Sequence, residues 1–191
     1  MTSTTLGCES ARSRTLQVRG LRLHFLESGQ AGAPALCFLH GGAAHAHWFD
    51  RVTPAFTERF HVIALDQRGH GASEWAEPPA YGTEDFTGDL LALMDQLGLA
   101  RMTVIGHSMG GHNAMTFSAW HPERVSALVI VDSRPAIPAE RLQVMHARGR
   151  RLVLRRGLGG RRRWRKDAVA GGDGDCQERH GVAAVEEIPT C

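Results

Sequence analysis

Residues 102–115, MTVIGHSMGGHNAM, decide the fold. MTVIGH (residues 102–107) is a short continuous apolar run, the pattern of a strand buried on both faces. From Ser108 to His121 the spacing predicts a helix of small residues, stopped by Pro122. Between them stands Gly106-His107-Ser108-Met109-Gly110, with Gly111 following. A serine that attacks a substrate must stand on a turn sharp enough to lift its Oγ clear of the sheet. Glycines two before and two after it let strand and helix approach. The helix start then aims free N–H groups and a positive dipole end at the place where negative charge develops. Ser108 is therefore the candidate nucleophile, and the amide of Met109 one candidate oxyanion donor.

Working outward, residues 15–28 alternate apolar and polar on both sides of Arg19-Gly20, which predicts an antiparallel hairpin. ALCFLH (35–40), HVIALD (61–66) and VSALVIVD (125–132) read as further strands. His47 to Phe60 has helical apolar spacing interrupted by Pro54, predicting one short or kinked helix. Thr83 to Gly98 predicts a helix with Thr83 as N-cap, a stripe of Phe86, Leu90, Leu93, Met94 and Leu97, and a glycine stop. Pro138 to Arg150 offers the start of one more. Strands and helices alternating at this spacing mean right-handed crossovers, a mostly parallel sheet and helices on both faces. The class is α/β.

Two further motifs follow their strands. His40-Gly41-Gly42 ends the run 35–40, and Gly42 is the candidate second oxyanion donor, because a residue without a side chain lets the backbone come close. His40 is read as a residue that organises its loop. Asp66-Gln67-Arg68-Gly69-His70-Gly71-Ala72-Ser73 follows the run 61–66. The three motifs, in this order and at strand-sized separations, resemble the α/β-hydrolase superfamily in its esterase, lipase and haloperoxidase-like branch, over roughly residues 15–135. The resemblance implies that the Asp66–Ser73 segment is structural. It also implies that Ser108 is the nucleophile, with Met109 and Gly42 as oxyanion donors. A serine there, in place of the carboxylate of the dehalogenase and epoxide hydrolase branches, implies acyl chemistry on ester-like bonds through an acyl-enzyme.

In that family a triad acid and then a histidine follow the serine. Asp132, at the end of its strand, is one candidate acid, while a strand-end aspartate that organises a turn is the other reading. His146 and His180 are the histidines that follow Ser133. His180 lies in ERHGVAAVEEIP, which loosely resembles a triad-histidine loop, and is the candidate base. Neither strand that should carry these groups is visible, so about six strands are expected and the last two are missing.

Charge divides the chain at the same place. Residues 1–147 hold 11 Arg and no Lys against 14 acids, whereas 148–191 hold 10 Arg and one Lys against six. The expected organisation is a flexible N-terminus (1–14), a partial hydrolase core (15–147) and a basic, Gly- and Arg-rich, poorly ordered tail (148–191). A shifted reading frame or a cut chain near residue 148 explains the break. It leaves the family's activity impaired here, or a catalytically inactive scaffold or binding protein. A genuine basic arm for nucleic acid is the rival reading, with no aromatic interleaving beyond Trp164 to support it.

The remaining signals exclude more than they assign. No apolar run approaches the roughly 20 residues of a bilayer span, and Met1–Arg14 has no apolar signal-peptide stretch. Four scattered cysteines fit a reduced, cytoplasmic compartment. His45-Ala46-His47 with Asp50 is too sparse for a metal site, and no Lys follows the glycines at 106–111 as a phosphate loop needs. The expected partner is a small-molecule acyl substrate, without cofactor, metal, nucleic acid or membrane; the oligomeric state is left open. Trp48, Phe49 and Met109 are expected to line an apolar acyl pocket, with packing in the core as the equal alternative.

Overall fold

The computed structural model describes residues 11–134. The expected helix at 138–150, His146, His180 and the basic tail lie outside the described residues. β1 (Arg12–Val18) and β2 (Leu21–Gly29) form the expected hairpin, closed by Arg19 (φ 49°) and Gly20 (φ 82°). Two consecutive left-handed residues match the right-handed twist of the flanking strands. β1 starts three residues before the alternation that begins at Thr15. The ladder with β2 already includes Arg12, Ser13 and Arg14, and side chains add to it: Ser13 Oγ lies 2.8 Å from His24 Nε2, and Arg14 donates to Glu27 at 2.7 Å.

β3 (Ala35–Leu39), β4 (His61–Asp66), β5 (Met102–His107) and β6 (Val125–Val131) complete one sheet in the order β1-β2-β4-β3-β5-β6. β2 runs antiparallel to β4; β3 is parallel to β4 on one side and to β5 on the other, and β5 is parallel to β6. The chain leaves β3 toward β4 and later returns to its other side at β5. Such a reversal opens a crevice at the carboxyl ends of the two strands, where ligands of open α/β sheets bind.

α1 (Thr83–Gln96) and α2 (Met109–Trp120) share one face, where Leu90, Leu93, Met94 and Phe117 bury against Leu23, Phe25, Cys37 and Leu39. Each such side chain removed from water contributes about 1.5–3 kcal/mol. The other face, with Leu26, Leu36, Phe38, Val62 and Ala64, is covered by Phe49, Phe56 and Phe60. These come from the stretch read as one kinked helix. It is instead two 3-10 turns, Ala46–Phe49 and Thr53–Ala55, because Pro54 has no N–H to continue a helix and seats at the start of the second turn.

The α1 cap differs by one residue. Gly82 is the N-cap and Thr83 is already helical; the Gly82 amide donates to the Asp85 carboxylate at 3.0 Å. Thr83 gives its carbonyl to the Thr87 hydroxyl, so the hydroxyl-for-amide exchange expected of a threonine cap is replaced by a carboxylate reaching back. Among the described residues no helix is long and apolar enough to cross a membrane.

Candidate active site

Ser108 stands between β5 and α2 with φ 49° and ψ −112°. Positive φ is strained for a residue with a Cβ, and such strain persists only where the surroundings over-determine it. Here backbone does so. The Ser108 amide donates to Val131 O at 3.1 Å, and its carbonyl accepts from His112 N at 3.1 Å and Ser133 Oγ at 2.7 Å. The glycines are required by space: a Cβ on Gly106 would strike Gly110 O, one on Gly110 would strike Leu39 O, and one on Gly111 would strike Ser133 Oγ. Strand and helix meet at a separation that admits hydrogen alone.

The loop after β3 reaches the same point. A Cβ on Gly41 would lie 3.2 Å from Ser108 Cβ and 2.8 Å from His107 Nδ1, so the chain passes directly over the serine. At Gly42 nothing lies within 4 Å of that position. The close approach that motivated Gly42 therefore belongs to Gly41, while Gly42 sits next in the turn closed by Ala44 N and Gly41 O at 3.2 Å. Among the described residues the amides of Gly42 and Met109 meet no acceptor, whereas that of Gly110 is engaged by His40 O at 3.1 Å.

A buried polar bracket fixes the two loops to each other, and its members Gln67 and Asn113 carried no signal in the sequence. Gln67 Nε2 donates to His40 O at 2.8 Å, and Asn113 Nδ2 donates to Gln67 Oε1 at 2.7 Å. The His40 ring is fully buried. Its Nδ1–H faces Gly41 O at 2.8 Å, and its Nε2 accepts from Gln67 N at 3.1 Å. That pairing requires the neutral ring. Burial pushes the His40 pKa down to about 4, with the neighbouring His70 adding to the effect against the Gly41 carbonyl.

The Asp66–Ser73 segment braces the crevice from the other side. The Asp66 carboxylate accepts from Ala46 N at 2.6 Å and Ala72 N at 2.8 Å, and lies 2.8 Å from His24 Nδ1. Its burial raises the pKa, but these donors, His24 foremost, outweigh that and hold it below the usual carboxylate range. Arg68 forks onto Asp89 at 2.7 and 2.6 Å and gives Nη1 to Ala80 O at 2.7 Å. None of these side chains is aimed at Ser108 by any hydrogen bond in the structure.

Asp132 lies at the end of β6 with φ 48° and an exposed side chain, its carboxylate 4.0 Å from His107 Nε2. The His107 Nδ1 is buried against Gly41 without a partner among the described residues, and Trp48 meets its ring edge-on at 4.9 Å. Trp48 is exposed beside the serine loop, as a pocket wall would be. Phe49 packs into the core on Phe38, with ring centroids 5.0 Å apart, so it lines no pocket. Ser108 Oγ bonds no group among the described residues. His47 Nδ1 is taken up by Asp50 at 2.9 Å, and no group of three metal-binding side chains occurs among the described residues.

Comparison with known proteins fits this geometry. The family model for the alpha/beta hydrolase fold matches residues 34–150. A 2-(acetamidomethylene)succinate hydrolase of Mesorhizobium japonicum is 32% identical over 136 residues, covering 71% of this chain and 48% of that protein. Epoxide hydrolase A of Mycobacterium tuberculosis is 35% identical over 127 residues, covering 65% of this chain and 39% of that protein. The crystal structure of an E-2-(acetamidomethylene)succinate hydrolase superposes with a TM-score of 0.68 at 32% identity, over 72% of this chain and 50% of that one. The chain thus spans half or less of the length of these relatives.

Proposed function

This chain belongs to the α/β-hydrolase family, and from that premise we propose that it is a serine hydrolase of ester-like acyl bonds with Ser108 as nucleophile. Ser108 Oγ attacks the acyl carbon, the amides of Met109 and Gly42 hold the oxygen that becomes negative, and water releases the acyl-enzyme. Serine rather than a carboxylate at this bend separates the chain from epoxide-opening chemistry, although an epoxide hydrolase is among its relatives. Asp132 is the acid of the proposal; the candidate base read from the sequence, His180, lies outside the described residues. The substrate is a small acyl compound, met in a cytoplasmic setting.

The observation that supports this reading most is the strained Ser108 backbone at the start of a helix whose first amide, that of Met109, meets no acceptor among the described residues. Turnover is expected to be low, because no imidazole among the described residues bonds Ser108 Oγ and a serine whose base is misplaced works far below the rate of an intact triad. The test is hydrolysis of a p-nitrophenyl ester by the chain and by Ser108→Ala. Turnover at least tenfold above the variant supports the proposal. Equal rates leave the fold as an inactive scaffold.

A further inference from the structure

Ser13, His24 and Asp66, on β1, β2 and β4, form a second serine–imidazole–carboxylate chain, with β3 between it and β5. Ser13 Oγ lies 2.8 Å from His24 Nε2, and His24 Nδ1 lies 2.8 Å from Asp66 Oδ2. The proton positions follow from the surroundings. Asp66 receives two backbone amides besides the imidazole, from Ala46 and Ala72, so it is ionised and can only accept. His24 Nδ1 donates to it, and in the tautomer with its single proton there the Nε2 lone pair faces the Ser13 hydroxyl. Ser13 donates to Nε2. That is the protonation pattern of a serine poised to lose its proton to a base whose orientation is fixed by a carboxylate.

Orientation and access are both provided. His24 and Asp66 side chains are buried, 7% and 3% exposed, and the ring is oriented by its contact with Asp66 Oδ2, while Ser73 Oγ accepts from the His24 amide at 2.8 Å. Ser13 is exposed on β1, which pairs with β2 alone among the described residues. Nothing in the mechanism at Ser108 uses these groups.

We propose that Ser13 is a second acylatable serine of this protein, a modification site for activated acyl donors and phosphonyl electrophiles, with His24 as its general base and Asp66 as the positioning residue. As the Ser13 Oγ–acyl bond forms and the bond to the leaving group breaks, the hydroxyl proton passes to His24 Nε2 and on to the leaving group. Without a helix start to supply amides for the oxyanion, the reaction runs far slower than at an intact nucleophile elbow and stops at the modified serine.

The test uses the full chain carrying Ser108→Ala, so that its outcome is independent of the proposal for Ser108. The protein is treated with a fluorophosphonate and the adducts are mapped by peptide mass spectrometry. Ser126, an exposed strand serine on β6 that bonds no imidazole among the described residues, is the internal reference. Labelling of Ser13 at least tenfold faster than Ser126 is expected. Equal rates, or no adduct on Ser13, overturn the proposal. The ratio is read with His24 in place, so it does not depend on tolerance of a change at that buried ring. A His24→Gln arm should bring the ratio to about one, and an unchanged ratio there removes His24 as the base.

Discussion

The two sides of the crevice are built by different physics. On the β5 side, Gly106, Gly110 and Gly111 let backbone touch backbone, and no side chain could be added without collision. On the β4 side, Asp66 and Arg68 tie loops together with charged side chains, each satisfied by several partners. The first arrangement is defined by excluded volume, the second by paired charge. The difference teaches where the serine's precision comes from. Its strained φ is held by steric fit together with hydrogen bonds to its own amide and carbonyl, and the charged side keeps the neighbouring loops in place.

Removal of charge should produce the largest loss of stability. Arg68→Met takes both guanidinium hydrogen bonds from buried Asp89 and leaves it only the half-exposed Arg19 at 3.6 Å, with Asp85, 3.3 Å from the lost guanidinium, also losing its partner. Breaking a buried pair from one end costs about 3–5 kcal/mol, read as a fall in the denaturant midpoint. Gly110→Ala tests the steric side. The new methyl meets the Leu39 carbonyl, backbone that has no rotamer to escape by, and a loss of about 3 kcal/mol is expected. If Gly110→Ala is neutral while Arg68→Met is not, the contrast between the two sides fails.

Acid probes the bracket that joins the loops. His40 has a folded pKa of about 4 against an ordinary 6.5, so the folded protein resists a proton that the unfolded chain takes up. The His40 contribution is whole above about pH 6.5 and is lost as pH falls through about 4. It is worth on the order of 3 kcal/mol. Asp66, also held low, is lost over a further acid range in the same direction. Chemical denaturation at pH 7, 5.5 and 4.5 should show stability falling with each step, and a flat profile would contradict a neutral, buried His40. The smallest effect is expected of Asn113→Ala. It frees Gln67 Oε1 at the cost of one hydrogen bond, about 1–2 kcal/mol, with ester turnover falling more than stability because the loop bearing Gly42 loses its anchor.

The parts legible from sequence were those with local causes. The elbow could be read because its glycines and its serine lie within six residues, and HVIALD because a strand buried on both faces has one pattern. MTVIGH is a strand as expected but is not buried on both faces: buried Met102, Val104 and Gly106 alternate with half-buried Thr103, Ile105 and His107. Other features depend on partners far along the chain. Gln67 and Asn113 meet across 46 positions, and Ser13 and His24 across the hairpin, with nothing in either segment to announce the bond. The stretch 47–60 misled for a different reason: aromatic residues spaced for a helix also suit two short turns once Pro54 is in the way. Gly41 and Gly42 are indistinguishable in a Gly-Gly pair, and only the position of Ser108 Cβ shows which one is crowded.

The most direct test of the account is site-resolved labelling of the unaltered chain with a fluorophosphonate. Ser108 should acquire the adduct first and fastest of all serines, with that peptide unlabelled in Ser108→Ala. A protein that reacts elsewhere at equal or greater speed, or leaves Ser108 unmodified, would contradict the claim that the strained bend presents a nucleophile.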